Sequence, residues 1–360
     1  MIESVYEKPL KLIQNKIVRY PGGRELDRFR GVENPQDDGR PEAWVGSTTT
    51  VVNAPDLPDK KTGMAQVQLN AEESVYLDEV IQKYPIEMLG GKHVARNGNN
   101  TAILPKLLDA QHQLVLQAHP TREYAKERFD SPYGKTESWY VIGVRNDSVE
   151  PPYVLLGFKE GVTREIFENF YLAEDVSGME ECCHKVQVAV GDMYFIEAGL
   201  PHVVGPGCFI VELQEASDIT VGIRRRKFED PEMDKAFIDR AMGCFIYNGK
   251  NAVENLKKYK IEPQILSKDD KYVESLLIGS EQTSYFSMTK VEVMKEFALR
   301  DTGTFSIVII LEGEGKLVFK TGEMNVKKSD ELFLPASLKN ALWQTNTGLT
   351  MVHCYPSDVL

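Results

Sequence analysis

A segment in the middle of the chain recurs near its C-terminus, and this repeat constrains the fold more than any other feature. Residues 191–198, Gly-Asp-Met-Tyr-Phe-Ile-Glu-Ala, align with residues 329–336, Ser-Asp-Glu-Leu-Phe-Leu-Pro-Ala. Each copy has the pattern of a tight turn that leads into an apolar strand. Residues 137–142 resemble residues 305–310 in the same way, so we predict a duplicated β unit of the jelly-roll type.

The rest of the sequence is typical of a mainly β protein with a few added helices. From Leu114 onward, short apolar runs alternate with Gly, Pro and Asp, as in a β-barrel or sandwich. Apolar residues have helical spacing in residues 71–96 and 164–172, and residues 229–260 are charged with a helical pattern. We predict three parts: an N-terminal helical segment with a metal-binding barrel (1–228), a helical connection (229–262) and a second, metal-free barrel (263–360).

Four side chains with metal-binding chemistry occur on short β-like segments of the first unit. They are Gln117, His119, Glu137 and His202. Two imidazoles, a carboxylate and an amide oxygen can bind a divalent metal and leave room for water or substrate. Gln117 has a second interpretation, since a neutral amide binds metal weakly and can instead orient a ligand. In the aligned repeats, His202 falls opposite Asn340. Glu137 falls opposite Phe305, so we expect metal only in the first unit.

Composition argues against several classes of protein. The chain has 360 residues, of which 42% are hydrophobic, and this is enough for two packed cores. Its formal net charge of -12 opposes binding to nucleic acid or to an anionic membrane. It has no apolar run of about 18 residues and no secretory pattern at its start. Five cysteines without CxxC spacing favour free thiols, so we expect a cytoplasmic protein.

From about Ile81 to its C-terminus, the chain resembles the type I phosphomannose isomerases of the short bacterial kind. The matching motifs are residues 104–110, Gln-x-His-Pro at 117–120, Gly-Lys-Thr-Glu-x-Trp-Tyr at 134–140, Pro-His at 201–202 and Ser-Asp at 217–218. They follow the family's order with similar spacing. The resemblance implies a double cupin, that is, two jelly-roll barrels. It also implies one zinc ion bound by Gln117, His119, Glu137 and His202.

The same resemblance implies which residues act on the substrate. Residues that correspond to Lys106, Lys135 and Asp218 lie in the family's active site. Lys135 comes two positions before Glu137, so on a strand its side chain would share the face of that ligand and point toward the metal. Nothing in the local sequence fixes the direction of Lys106.

Two positions depart from the family pattern. Gly222 stands where the family has an arginine, four residues after the aspartate, and Glu215 stands where the family usually has glutamine. Arg224 follows Gly222 by two residues, so period-two alternation would return it to the same face, where it could replace the missing arginine. The alternative is that residues 224–226, all arginines, form a solvated strand end.

The predicted function is a metal-dependent aldose–ketose isomerase that interconverts mannose 6-phosphate and fructose 6-phosphate. The candidate catalytic residues are Lys135, Asp218 and Arg224, and Lys106 with Arg224 would contact the phosphate. The departure at Gly222 leaves two alternatives: an isomerase of another or unphosphorylated sugar, and a sugar-binding or regulatory cupin without turnover. The sequence leaves open the native metal, the residue that acts as base and the oligomeric state.

Overall fold

Strands dominate the structure, which confirms the predicted mainly β class with two jelly-roll units and a few helices. The computed structural model describes residues 5–52, 60–70, 72–148, 150–357 and 359. Its helices are α1 (Arg24–Phe29), α2 (Leu77–Lys83), α3 (Pro85–Leu89), α4 (Gly91–Asn97), α5 (Arg122–Arg128), α6 (Arg164–Leu172), α7 (Val176–Glu181), α8 (Pro231–Met242) and α9 (Ala252–Tyr259). A short 3₁₀ helix spans Val5–Glu7.

The strands fall into an N-terminal group, a first unit and a second unit. The N-terminal strands are β1 (Leu10–Lys11), β2 (Glu42–Trp44), β3 (Gln66–Gln68) and β4 (Ser74–Tyr76). The first unit contains β5 (Ile103–Asp109), β6 (Gln117–Ala118), β7 (Glu137–Val144), β8 (Tyr153–Phe158), β9 (Cys183–Gln187), β10 (Met193–Ile196), β11 (His202–Val204), β12 (Cys208–Glu215), β13 (Val221–Gly222) and β14 (Lys260–Ile261). The second unit contains β15 (Gln264–Lys268), β16 (Tyr272–Ile278), β17 (Phe286–Val293), β18 (Glu296–Ala298), β19 (Ser306–Phe319), β20 (Gly322–Lys327), β21 (Glu331–Leu334), β22 (Leu342–Gln344) and β23 (Leu349–Pro356).

Both units share one strand order, as the sequence repeat predicts. In the first unit, one sheet has the order β14-β10-β7-β12-β5-β2 and the other has the order β13-β6-β11-β8-β9. The large sheet of the second unit contains β21-β19-β23-β17, which repeats β10-β7-β12-β5 strand for strand. All of these neighbours are antiparallel, as in a jelly roll built from hairpins.

The strand register corrects one detail of the predicted alignment. Glu137 pairs with Ile196 in the first unit, and Ser306 pairs with Leu334 in the second. Because Ile196 and Leu334 are equivalent in the repeat, the counterpart of Glu137 is Ser306, and the predicted match to Phe305 is wrong by one residue. A hydroxyl therefore takes the place of the carboxylate in the second unit.

The two units pack their large sheets against each other. Strands β5 and β12 are buried at every residue, because one face lines the first unit and the other meets the second. On β19, Ile307 and Ile309 join the core shared with the first unit, whereas Val308 and Ile310 face the interior of the second. Each such side chain that is removed from water stabilises the fold by roughly 1.5–3 kcal/mol. The interface is therefore part of the hydrophobic core.

The N-terminal segment connects the two units. Strand β1 pairs with β21 of the second unit, with Leu10 opposite Phe333. After α1, the Arg30 guanidinium donates to Glu331 Oε1 at 2.7 Å, and both side chains are buried. Strand β2 instead pairs with β5 of the first unit.

The helical predictions vary in accuracy. Helix α6 spans the predicted residues 164–172, and the Thr163 side chain caps it by accepting from Ile166 N. The prediction of one helix over 71–96 is wrong: Ala71 lies outside the described residues, and β4 and three short helices follow it. Pro85 begins one of these helices, and Gly90 ends it with a φ of 91° that other residues rarely adopt.

Residues 229–260 form α8 and α9, in agreement with the predicted helical pattern, and both helices pack on the first unit. Met242 and Phe245 share a core with Phe158, and Asn255 donates to Leu156 O at 2.8 Å. The boundaries proposed at residues 228 and 262 stay predictions, since packing does not show which parts fold independently. None of the helices within the described ranges is long and apolar enough to cross a membrane.

Candidate active site

Three predicted metal ligands meet inside the first unit. His119 follows β6, Glu137 begins β7 and His202 begins β11. His202 pairs with Gln117 across the sheet, so β6 and β11 bring both histidines to one place. The ligand atoms of His119, Glu137 and His202 all lie within 4.8 Å of one another, and all three side chains are buried. Over the described residues, this is the one cluster of three or more His, Cys, Asp or Glu side chains with such spacing.

The two imidazoles are oriented for metal binding. His119 Nδ1 lies 2.9 Å from Ile219 O, and His202 Nδ1 lies 2.8 Å from Leu200 O. A carbonyl oxygen only accepts hydrogen bonds, so each Nδ1 carries the proton and each Nε2 presents a lone pair. The two Nε2 atoms are 3.1 Å apart, and His119 Nε2 is 3.0 Å from Glu137 Oε1. Lone pairs and a carboxylate that converge in this way fit a divalent cation.

The protonation states suit the same role. Burial and the nearby Lys135 lower the pKa of His119, and burial together with His119 lowers the pKa of His202 to about 3. Burial alone would raise the pKa of Glu137, but Lys135 and His119 hold it well below its usual range. At neutral pH the site therefore offers two neutral imidazoles and one carboxylate, the forms that bind metal.

The fourth predicted ligand, Gln117, lies at the edge of this cluster. Its Nε2 is 3.4 Å from His202 Nε2, and its side chain is half-buried. Rotation of the amide by 180° would exchange its nitrogen and oxygen. The contact is thus compatible with both sequence interpretations, a metal ligand through the oxygen or a group that orients His202.

Lys135 lies directly against the cluster. Its Nζ is 2.6 Å from Glu137 Oε1 and 3.1 Å from His119 Nε2. The residue precedes β7, so the position of its side chain does not come from strand alternation. A backbone hydrogen bond from Lys135 N to Pro120 O, 3.1 Å long, fixes the segment instead.

Lys106 is also buried in the first unit, in a network that the sequence did not predict. Its cross-strand partner is Glu212, and Lys106 Nζ lies 3.1 Å from Glu212 Oε1. Trp139 Nε1 donates to both Glu212 Oε2 and Glu137 Oε2 at 3.2 Å, which links the pair to the metal ligands. Burial would lower the pKa of Lys106, but Glu212 and other carboxylates raise it above its usual value, so the ammonium stays charged.

Asp218 has a cationic partner that the motifs did not reveal. One terminal nitrogen of Arg19 donates to both carboxylate oxygens of Asp218, at 2.7 and 2.8 Å, and Val52 N donates to Oδ2 at 3.0 Å. Burial would raise the pKa of Asp218, but Lys106 and Arg19 lower it overall, so the residue is an ionised acceptor. Arg19 belongs to no recognised motif, and only the fold brings it to Asp218.

A cavity of about 660 Å³ adjoins the cluster at Gln117. Arg19, Arg224 and Arg240 also line it, as does Gly222, which pairs with Gln117 across the sheet. Strand β13 ends at Gly222, so the predicted strand alternation does not extend to Arg224. Arg224 nevertheless lines the same cavity as Gly222, which has no side chain.

Glu215, the second departure from the family pattern, is neutralised by its neighbours. It is buried, and its Oε2 accepts from Arg122 Nε at 2.5 Å. Its Oε1 accepts from Thr136 N at 3.1 Å, next to Glu137 in the chain. The negative charge that glutamate adds in place of glutamine is therefore offset by Arg122, whose Cζ lies 4.1 Å from the ring centre of Tyr285 in the second unit.

Comparisons with known proteins agree with this arrangement. The family model "Phosphomannose isomerase type I, catalytic domain" matches residues 12–140, and "Mannose-6-phosphate isomerase, cupin domain" matches residues 280–354. A mannose-6-phosphate isomerase of Streptococcus mutans is 26% identical over 322 residues, covering 88% of this chain and 95% of that protein. One from Bacillus subtilis is 26% identical over 242 residues, covering 67% and 71%.

Solved structures share the fold. The mannose 6-phosphate isomerase structure from Bacillus subtilis has a TM-score of 0.75 at 20% identity, covering 96% of this chain and 99% of that one. A variant of the Salmonella typhimurium phosphomannose isomerase has a TM-score of 0.71 at 16% identity, covering 97% and 100%. The two family models together match more than half of the chain, so the chain belongs to the type I phosphomannose isomerase family.

Proposed function

We propose that this chain interconverts mannose 6-phosphate and fructose 6-phosphate at the His119, Glu137 and His202 site. The observation that carries the proposal is the convergence of two Nε2 lone pairs and a carboxylate in a buried space beside a cavity. The cavity has the size of an ordinary small-molecule site, and Gln117 is the one of the four predicted ligands that lines it. The family relationship supports this substrate.

Zinc is the metal we propose for the site. Two imidazole nitrogens and one carboxylate oxygen form a ligand set typical of catalytic zinc, which keeps a further position for substrate. Gln117 is the proposed fourth contact, through its amide oxygen. When bound, such a metal polarises the carbonyl and neighbouring hydroxyl of the open-chain sugar.

The reaction transfers a proton between C2 and C1 and another between O2 and O1, with no atom gained or lost. We assign Lys135 and Asp218 to proton movement and to orientation of the sugar. Lys135 is supported by its contacts with His119 and Glu137, which hold its ammonium beside the metal ligands. The role of Asp218 is supported by its ionised state, since a carboxylate fixed by Arg19 can accept a hydrogen bond from a sugar hydroxyl.

Lys106 and Arg224 are the proposed phosphate contacts. Lys106 remains a charged ammonium inside the first unit, and Arg224 lines the cavity beside Gly222. Arginine recognises phosphate through paired donors, so a cavity position suits it. Arg224 would thereby replace the arginine of the family pattern.

A second candidate function is the isomerisation of an unphosphorylated or different sugar, and Gly222 is the observation that favours it. Because residue 222 is glycine, the cation of the family pattern is missing next to Gln117. Phosphate recognition would be weaker if no other residue replaced that cation. A sugar-binding protein without turnover is a third possibility left by the sequence.

One substrate comparison separates these functions. Zinc-loaded protein is incubated with mannose 6-phosphate and with free mannose, and the ketose formed is measured. We expect kcat/KM to be far higher for the phosphorylated sugar. Equal values for both would support the second candidate, and binding of either sugar without ketose formation would support the third.

The proposed cellular location is the cytoplasm. All five cysteines are buried free thiols, which agrees with a reducing compartment. A small sugar phosphate is the proposed binding partner.

A further inference from the structure

We propose that helix α8 supplies part of the phosphate site, through an arginine pair formed by Arg224 and Arg240. This inference rests on the proposed isomerase function and extends it, because it assigns the preference for a phosphorylated sugar to α8 together with Arg224. Arg240 lies near the C-terminal end of α8 and lines the same cavity as Arg224 and Gln117.

The charges that line the cavity are all positive. Arg19, Arg224 and Arg240 line it, and no carboxylate does so among the described residues. Arg19 is already engaged by Asp218, at 2.7 Å. For Arg224 and Arg240, by contrast, the described part of the chain provides no carboxylate within 4.0 Å. Two guanidinium groups without a counter-charge at one small cavity favour an anionic ligand.

Aromatic rings hold the Arg240 guanidinium without neutralising it. Its central carbon lies 5.5 Å from the centre of the Phe129 ring and 5.6 Å from that of Phe237. Both rings also line the cavity. A cation over aromatic faces is positioned while it keeps its full charge and its hydrogen-bond donors.

The backbone of α8 is fixed near Arg240 as well. Tyr124 of α5 donates from its hydroxyl to Arg240 O at 3.0 Å, and the following residues Ala241 and Met242 are buried. The helix end that carries Arg240 is therefore anchored, while its exposed side chain remains accessible to a ligand.

Gly222 explains why the cations come from further along the chain. A Cβ added at Gly222 would meet only Val115 Cγ1 at 3.5 Å and Leu116 O at 3.9 Å, which are ordinary contacts. The backbone at this position thus accepts a Cβ, which this sequence omits. We infer that Arg224 and Arg240 provide the positive charge that an arginine at residue 222 would otherwise contribute.

The test compares binding of phosphorylated and free sugar by zinc-loaded variants. Arg240→Ala and Arg224→Ala are measured against Arg226→Ala, a matched control whose guanidinium contacts the Phe228 ring at 4.9 Å. Fructose 6-phosphate and inorganic phosphate are titrated by calorimetry, and free fructose by ligand-observed NMR.

We expect each cavity variant to bind fructose 6-phosphate roughly tenfold to a hundredfold more weakly, with a parallel loss for inorganic phosphate, because a charged hydrogen bond is removed. The affinity for free fructose should change far less, and Arg226→Ala should match the wild type. Unchanged fructose 6-phosphate affinity in Arg240→Ala, or equal losses for both sugars, would overturn the proposal.

A rescue variant tests the equivalence of the two positions. Gly222→Arg combined with Arg224→Ala should regain most of the lost fructose 6-phosphate affinity. If this folded double variant binds as weakly as Arg224→Ala alone, the inferred replacement is wrong. Lack of turnover by the wild type would contradict the isomerase function instead, since the binding measurements do not depend on turnover.

Discussion

His202 is the residue on which the proposed metal site depends most directly. It is fully buried, its Nδ1 is held by Leu200 O, and its Nε2 faces both His119 and Glu137. No other described side chain of His, Cys, Asp or Glu type completes this cluster. Replacement of His202 therefore removes one of only two imidazoles at the site.

We predict that His202→Ala weakens metal binding by at least roughly a hundredfold, beyond the effect typical of a lost orienting group. Metal content after dialysis is measured by mass spectrometry, and activity is measured alongside. His112→Ala is the control, since His112 is exposed. The variant should keep a cooperative unfolding transition, because the second unit does not use His202. Wild-type metal content in His202→Ala would show that the ligands are assigned wrongly.

The sequence could predict those site residues that lie in short motifs. His119, Glu137 and His202 could be predicted as a cluster because imidazole and carboxylate chemistry stands out in a strand context, and the structure brings their side chains together. Arg19 and Glu212 could not be identified, since neither belongs to a motif. Their roles depend on strand register and on a contact between residues about 200 positions apart, which a local pattern does not contain.

At the scale of elements, the duplicated strand order could be predicted from the repeated turn and strand at residues 191–198 and 329–336. The register could not be predicted to a single residue, because one-residue slips preserve the apolar character of Ile307 and its neighbours. The helix expected over 71–96 failed for a local reason. Pro85 and Gly90 interrupt the backbone hydrogen bonding even though the apolar spacing continues.

Strand β23 carries a buried histidine that makes the stability of the protein depend on pH. Burial lowers the pKa of His353 to about 3, whereas an unfolded histidine has a pKa of about 6.5. Its contribution to stability is therefore complete above pH ~6.5 and is lost as the pH falls toward the folded value.

We predict that the free energy of unfolding loses about 1.7 kcal/mol through this residue between pH 6.5 and pH 5. Denaturant unfolding of wild type and His353→Gln over this range provides the measurement. Between these pH values, the free energy of unfolding of the variant should fall less than that of the wild type, by that amount. This difference does not depend on the stability of the variant at neutral pH. Parallel curves for the two proteins would contradict the assignment. His353 lies in the second unit, away from the metal ligands, so metal loss does not confuse the comparison.

At the scale of the whole molecule, the N-terminal segment makes the two units interdependent. Strand β1 extends the large sheet of the second unit, while β2 extends a sheet of the first. The Arg30 and Glu331 ion pair is buried between them, with side-chain exposures of 7% and 1%. Breaking one partner of such a pair leaves an uncompensated buried charge.

Arg30→Ala should therefore lower the free energy of unfolding by about 3–5 kcal/mol. The additional change Glu331→Gln should restore most of the loss, because it removes the stranded carboxylate. Lys328→Ala is a control, since its partner Glu312 is exposed and the pair contributes little. A loss below about 1 kcal/mol in Arg30→Ala would argue that the segment does not connect the units energetically.

We propose that the His-Glu-His cluster of this chain is the metal centre at which mannose 6-phosphate is isomerised. The most direct measurement is a coupled assay for fructose 6-phosphate formed from mannose 6-phosphate. It is run on chelator-stripped protein and on the same sample titrated with zinc. We predict negligible turnover without metal and activity that rises to a plateau near one zinc per chain. Full turnover by metal-free protein, or none by protein that holds one zinc per chain, would contradict the claim.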